Sequence, residues 1–331
     1  EYIYPEFDIT ENINNNFEGD LTFSTNGYKK LYNTNTTEEV LTNNISYKSL
    51  DGISKLGLVS NYEILLKNFN SSANRSTKYK NENDHDLQTI LNYQVKYPLQ
   101  KLGNRFNTTL SPIFSARYSP NKSKNIRDED RMIDYYSLFE LDRIKNSETV
   151  EGGQSITFGN EFSIVDKYND ESELFSLNLG TSIRDIEDNK LPKNSTLNQE
   201  MSDIIGEMKL KTNEFIDFNY NFSVDNNISD LNYHKINSKI KVNNFITTFE
   251  FLEENNNLGN DSFISNETSY DFNDNNSLFF RTRKNKKTDL TEYYNLIYEY
   301  KMDCLVAGIE YKKDYYSDGD LKPEEQIFFS I

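Results

Sequence analysis

The sequence predicts an all-β chain organised as an antiparallel transmembrane β-barrel. Three observations predict it: short stretches that alternate apolar with polar side chains, clusters of Asn, Asp, Gly or Ser that cut them off, and an apolar content held largely in Tyr and Phe. In Phe218-Asn219-Tyr220-Asn221-Phe222-Ser223-Val224 every second residue is apolar. A strand has a side-chain period of two, so this stretch carries one apolar and one wet face. The pattern recurs too often for a small sandwich and suits a wall between lipid and water.

Composition narrows the class. Only 35% of the 331 residues are hydrophobic and the mean hydropathy is -0.79, a balance that on its own would suggest disorder. The 23 Tyr and 22 Phe argue against it, because a solvated tail does not carry so many rings. No apolar run approaches the ~18 residues of a transmembrane helix, so spanning falls to strands. Trp is absent, and Tyr and Phe can form the interfacial girdle instead. A formal net charge of -17 argues against nucleic acid as a partner, since phosphate binding needs a basic footprint. It also argues against docking on an anionic leaflet, and it fits wet loops and lumens. Cys304 is the one cysteine, so no internal disulfide forms; it is a free thiol or is paired outside the chain. The chain starts at Glu1 without a visible signal peptide, as expected of a piece of a longer polypeptide.

Strands are predicted near 20–28, 43–49, 54–68, 86–98, 105–118, 134–143, 155–166, 172–183, 204–213, 215–225, 232–243, 245–253, 262–272, 277–284, 290–300, 303–316 and 325–331. Faces are assignable in the clearest of them. Ile156, Phe158, Phe162 and Ile164 oppose Thr157, Gly159, Glu161 and Ser163. Phe175, Leu177, Leu179 and Ile183 oppose Ser176, Asn178, Gly180 and Ser182, and Leu305, Ala307, Ile309 and Tyr311 oppose Val306, Gly308, Glu310 and Lys312. A register slip of one residue would turn the polar set into lipid, so the alternation fixes pairing. Asn213-Glu214 and Asn243-Asn244 read as tight turns, whereas 69–85, 119–133 and 184–203 read as long polar connections. Short turns at one end and long loops at the other are the habit of membrane barrels. The pattern is least regular over the first 130 residues.

Catalytic and metal-binding patterns are sparse. His85 sits in the charged run Asn83-Asp84-His85-Asp86, read as a loop, and His234 on a polar strand face. Neither has a Ser or Asp constellation around it that would make a base useful. Asp271-Phe272-Asn273-Asp274-Asn275 opens like a calcium loop, but Asn276 and Thr282 stand where Gly and Glu are needed, so it reads as a turn. No Cys/His spacing suits zinc and no Gly-rich loop leads from a strand into a helix. No cofactor is expected.

The distinctive segment runs from about 95 to 166. It holds Val95-Lys96-Tyr97-Pro98-Leu99, Leu110-Ser111-Pro112-Ile113 and Tyr118-Ser119-Pro120-Asn121. The acidic Asp128-Glu129-Asp130 then leads into Asp134-Tyr135-Tyr136-Ser137-Leu138-Phe139-Glu140-Leu141-Asp142-Arg143, and Val150-Glu151-Gly152-Gly153-Gln154-Ser155 opens a strand through Gly159. Pro98 and Pro112 cannot donate to a ladder and belong at strand ends, bulges or edges. Gly152-Gly153 permits a tight turn or bulge. A second segment holds Tyr300-Lys301-Met302-Asp303-Cys304-Leu305, then Tyr316-Ser317-Asp318-Gly319-Asp320-Leu321-Lys322-Pro323-Glu324.

Together these segments resemble the LptD family of outer-membrane lipopolysaccharide-assembly proteins, in its C-terminal barrel domain. The matched positions are Pro98, Pro112, Asp130, Asp134, Leu138, Phe139, Arg143, Glu151, Gly152, Gly153, Gly159, Asp303 and Cys304. Family members carry two adjacent cysteines in the last region, each paired with a cysteine of a periplasmic N-terminal domain. Here Leu305 follows Cys304, so the resemblance implies at most one such bridge, to a partner upstream of Glu1. The periplasmic jelly-roll and the first barrel strands of the family are not visible. Residues 1–331 are therefore expected to be the later part of a larger outer-membrane barrel.

The resemblance implies transport rather than chemistry. The expected role is insertion of lipopolysaccharide into the outer leaflet of a Gram-negative outer membrane, through a lumen with a lateral gate. The partners implied are lipopolysaccharide, outer-membrane lipids, the plug lipoprotein LptE and the periplasmic bridge protein LptA. A general porin or receptor barrel remains the alternative, with a barrel enzyme and a soluble β-sandwich array behind it.

Overall fold

In a computed structural model, which describes residues 2–14, 18–168, 172–212, 215–302, 304–315 and 324–331, the alternating stretches pair into one antiparallel sheet. Among the described residues the strands are β1 (Tyr2–Ile13), β2 (Gly19–Leu31), β3 (Thr37–Ser49), β4 (Gly52–Ile53), β5 (Val59–Asn74), β6 (Asp84–Lys96), β7 (Leu99–Leu102), β8 (Phe106–Ser119), β9 (Gly153–Asp166) and β10 (Ser172–Arg184). They continue as β11 (Ile204–Thr212), β12 (Ile216–Val224), β13 (Leu231–Val242), β14 (Phe245–Glu254), β15 (Ser262–Asn273), β16 (Asn276–Asn285), β17 (Leu290–Met302), β18 (Leu305–Asp314) and β19 (Glu324–Ser330). The registers follow chain order: β1 with β2, β2 with β3, β3 with β5, β5 with β6 and β6 with β8. From β11 onward each strand pairs with the next.

The chain divides into two compact units. The first comprises 1–99, 110–160 and 180–203, and its sheet is covered on one face and bare on the other. The covered face is rich in polar side chains, with Leu65, Phe69 and Ile90 among them, and the bare face carries exposed Leu, Ile, Phe and Tyr, the reverse of a soluble sandwich. On β6, Gln88 is 1% exposed whereas the adjacent Leu87 is 62% exposed. On β9, Ser155 and Thr157 are buried while Ile156 and Phe158 are exposed. Ser182 at the end of β10 is buried and Ile183 is exposed. The assigned faces therefore hold along β10 and at the start of β9, with the apolar set turned outward. Leaving Leu and Phe rings uncovered in water would forgo about 1.5–3 kcal/mol for each, so this face is suited to hydrocarbon.

The second unit comprises 100–109, 161–179 and 204–331. Its hairpins are tight where predicted. Asn243-Asn244 joins β13 to β14 with Asn243 in the left-handed region at φ 51°, which Asn tolerates. Asp274-Asn275 joins β15 to β16, so the calcium-like run is a turn. The predicted turn at Asn213-Glu214 lies outside the described residues. Tyr220 and Phe222 stack on one face of β12 with ring centroids 5.1 Å apart.

Four expectations change. The stretch 134–143 is not a strand but an irregular segment around a 3-10 turn at Ser137–Phe139. Asp134 Oδ1 accepts hydrogen bonds from the Ser137 backbone N–H, at 2.7 Å, and from its hydroxyl, which folds the chain back before a ladder can form. A strand at Tyr2–Ile13 was not predicted, because Pro5 interrupts its alternation; the register with β2 shifts between Ile3 and Glu6, around that proline. His85 lies on β6 rather than in a loop, with Nδ1 2.6 Å from Asn70 Oδ1. The connection within 69–85 is shorter than expected, since β5 continues to Asn74.

Candidate functional site

The two long connections, 120–152 and 185–203, are not solvated loops. Ile126, Ile133, Tyr135, Leu138, Ile144, Val150, Leu191 and Leu197 within them are buried. Val150 packs with Leu65 of β5 and Ile90 of β6. Leu138 and Phe139 lie over β10, where a Cβ on Gly180 would stand 2.9 Å from Leu138 Cδ2. The connections also hold each other: Ile126 N–H donates to the Lys190 carbonyl at 2.8 Å, and Arg131 N–H to Asn194 Oδ1 at 2.9 Å. Asn194 in turn donates to Asp130. Lys193 pairs with Asp128 at 2.9 Å and holds that carboxyl below its usual range.

At the centre stand Arg143 and Glu151, each 1% exposed. Arg143 donates from Nε to Glu151 Oε2 at 2.9 Å and from Nη2 to Oε1. Its remaining N–H groups reach the hydroxyls of Ser155 at 2.8 Å, Thr157 at 3.2 Å and Ser182 at 2.7 Å. The bidentate fork suits a planar guanidinium on a carboxylate. Two further arginines converge on Glu151: Arg117 of β8, with Nη1 3.3 Å from Oε2, and Arg184 of β10, with Nη1 3.6 Å from Oε1. Arg117 also donates to the Glu151 carbonyl at 3.0 Å, and Arg184 to the carbonyls of Gly152 at 2.8 Å and Leu197 at 2.7 Å. Burial pushes the Glu151 carboxyl up, but Arg143, Arg117 and Arg184 outweigh it and hold the group at about 2. Such a carboxylate stays ionised at neutral pH and fixes structure rather than moving protons.

Other ties run from the covered face of the sheet. Lys67 of β5, buried, bonds Asp142 Oδ2 at 2.8 Å and the Thr149 carbonyl at 3.2 Å. Tyr79 donates to Glu148 Oε1 at 2.6 Å, and burial together with Glu148 raises the phenol well above its ordinary value. Gly152 must be glycine, because a Cβ there would lie 2.2 Å from the Asn121 carbonyl oxygen. Gly153 has φ +86° and turns the chain into β9.

Of the residues singled out in the sequence, Asp130, Asp134, Leu138, Phe139, Arg143, Glu151, Gly152 and Gly153 meet in this assembly. Pro98 lies between β6 and β7, and Pro112 lies inside β8 where the register with β6 ends; its carbonyl accepts from Tyr97 N–H at 3.0 Å. Gly159 is an ordinary position on β9. Cys304 is exposed between β17 and β18, and Asp303 lies outside the described residues. Sequence reasoning missed Arg117, Arg184 and Lys67, and only the charge of Arg117 on a strand face that also bears Ser111, Ile113, Ser115 and Ser119 could have flagged one of them. His234 Nε2 lies 3.2 Å from Glu253 Oε2, which also faces Lys286 at 3.4 Å.

No curated protein matches the chain. Among solved structures it is similar to the crystal structure of BamA from Haemophilus ducreyi lacking POTRA domains 1-3, at 9% identity and a TM-score of 0.22, over 99% of this chain and 69% of that one. A family model described as LptD, LPS transport system D, matches residues 5–275. That span takes in β2 through β15 and both long connections, so the chain belongs to the LptD family, an outer-membrane β-barrel family of lipopolysaccharide transport.

Proposed function

We propose that this chain serves as the wall of an outer-membrane translocon that places lipopolysaccharide in the outer leaflet. The observation that carries the reading is the inverted burial along strands such as β6, β9 and β10, where Gln88, Ser155, Thr157 and Ser182 are covered and Leu87, Ile156, Phe158 and Ile183 are bare, in a chain of this family. Lipopolysaccharide has sugars and phosphates at one end and acyl chains at the other. Its head group can follow a wet face, whereas each acyl CH₂ kept in water costs about 0.8 kcal/mol. A lateral opening in the wall resolves the conflict by passing the chains directly into lipid. In this reading β18 and β19 lie toward that opening, and a plug lipoprotein (LptE) and a periplasmic bridge protein (LptA) are the partners.

Depletion tests the role. Loss of surface lipopolysaccharide is the expected result; altered solute uptake with normal lipopolysaccharide would favour a general porin and overturn it. Crosslinking the last strand of the complete barrel to its first should block export, and normal export with the crosslink in place rules out the lateral opening.

A further inference from the structure

The bare face of the first unit is not apolar throughout, and backbone register fixes which side chains share it. On β6 the bare positions include His85, Leu87 and Leu91, which pair with Asn70, Asn68 and Ile64 of β5. Asn70, Asn68, Leu66 and Ile64 pair in turn with Leu41, Asn43, Ile45 and Tyr47 of β3. Asn43, Ile45 and Tyr47 then pair with Thr25, Phe23 and Leu21 of β2. One belt of this face is therefore polar, and its side chains are joined. Thr25 donates to Asn43 Oδ1 at 2.8 Å, and Asn43 donates to Asn68 Oδ1 at 3.3 Å. Asn70 donates to the same Asn68 oxygen at 2.6 Å, and its own Oδ1 lies 2.6 Å from His85 Nδ1. Beyond the belt, Lys29 and Glu39 form an exposed ion pair on the same face.

Little apolar height is left on the other side of the belt. On β2 the bare face carries only Phe23 and Leu21 before the strand ends at Gly19, and on β3 only Ile45 and Tyr47 before Ser49. The charged Glu18 and Asp51 lie just past these ends. From Asn43 to Ser49 is about 20 Å along the strand at about 3.4 Å per residue, or about 15 Å of height at a barrel tilt of about 35–45°. The lipid-facing band of such a barrel is about 25 Å tall. β10 shows the fuller pattern, with Phe175, Leu177, Leu179 and Ile183 on its bare face. Hydrocarbon of ordinary thickness against β2 and β3 would cover Thr25, Asn43 and Asn68. Amides in hydrocarbon are costly even when they bond one another imperfectly, whereas a bilayer thins at a modest cost per ångström.

We propose that the sector of wall formed by β2, β3 and β5 thins the membrane against it, so that the hydrocarbon ends at the belt of Thr25, Asn43 and Asn68. The partner is the bilayer itself, with its acyl chains shortened or disordered where they meet this sector. A thinned bilayer resists lipid entering from the side less, which suits a wall that delivers lipid. The proposal rests on the membrane-wall reading.

The chain has no tryptophan, so an introduced one reports its own surroundings. The full chain carries either Leu41→Trp, one step beyond the belt, or Ile45→Trp, one step on its other side. Both positions are bare, at 39% and 42% exposed. Each variant is first shown to keep the heat-modifiable gel mobility of the parent, and is then reconstituted in phosphatidylcholine vesicles with hydrocarbon about 30 Å thick. Emission is read against lipid brominated along its acyl chains and against iodide in the water. Ile45→Trp should lose emission several-fold to the brominated lipid, and Leu41→Trp only to iodide. Equal loss of both to the brominated lipid overturns the proposal. Adding Thr25→Val, Asn43→Leu and Asn68→Leu to Leu41→Trp should bring that tryptophan within reach of the brominated chains; continued loss to iodide alone overturns the belt as the cause. Should this combined variant fail to fold, the first pair still decides. Phe158→Trp, on the bare face of β9, is the reference. If its emission ignores the brominated lipid as well, the membrane-wall reading falls; if it responds while Ile45→Trp does not, only the thinned sector falls.

Discussion

A guanidinium offers five N–H donors, and Arg143 places all of them inside the protein, two on Glu151 and three on hydroxyls of β9 and β10. Removing one partner of such a buried pair is costly because the other charge is left unpaired. Glu151→Gln keeps the shape, removes the anion, and leaves three guanidinia facing one another. It should destabilise the protein by about 3–5 kcal/mol, read as a lowered unfolding temperature in detergent, with Glu151→Asp affected less. Because the folded Glu151 sits at about 2, below its ordinary 4.5, its stabilisation is complete above about pH 4.5 and is lost as pH falls toward 2. The contribution is about 3 kcal/mol, so denaturation midpoints between pH 5 and 2 should fall more steeply in the parent than in Glu151→Gln, and parallel curves would refute the assignment. Arg143 and Glu151 were legible in the sequence as motif residues. Their convergence with Arg117 and Arg184 was not, since a charged side chain on an alternating strand reads simply as a wet face.

Strands were the legible elements, because period-two alternation is a local property. β10 follows its predicted faces, with Ser176, Asn178 and Ser182 covered, and β9 does so at its start, with Ile156 and Phe158 outward and Ser155 and Thr157 covered. Phe158→Lys should therefore impair membrane insertion, at a cost of about 2–4 kcal/mol for a cation on a lipid face, measured by the yield of heat-modifiable protein in the membrane fraction. Phe158→Leu should insert normally. The segment 134–143 misled for a physical reason. Its Tyr, Leu and Phe side chains are dense enough to suggest a strand, but the Asp134-to-Ser137 spacing lets a side chain take the Ser137 backbone N–H that a ladder would need. The covered state of the connections was also illegible, because Ile126 and Val150 are isolated among polar residues and their burial depends on contacts distant in the chain.

For the chain as a whole, connections alternate in length. Asn243-Asn244 and Asp274-Asn275 are minimal, whereas 120–152 and 185–203 are long, as the sequence suggested. Antiparallel order puts the β17–β18 connection, with Cys304, at the opposite strand ends from the β12–β13 connection at 225–230. If the long connections face the exterior, a membrane-impermeant maleimide should label Cys304, after mild reduction, only once the outer membrane is permeabilised. Ser229→Cys, in a Cys304→Ser background, should be labelled in intact cells. Labelling of Cys304 in intact cells would reverse the orientation.

The hydroxyl of Ser182 that Arg143 grips lies 39 residues further along the chain, on β10, and the segment bearing Arg143 precedes β9. Until β10 arrives, the arginine lacks one of its five anchors, so this fastening can be completed only on a finished stretch of wall. Arg143 thus acts as a bolt that slides home after its frame is standing, and a half-built protein carries it visibly unshot.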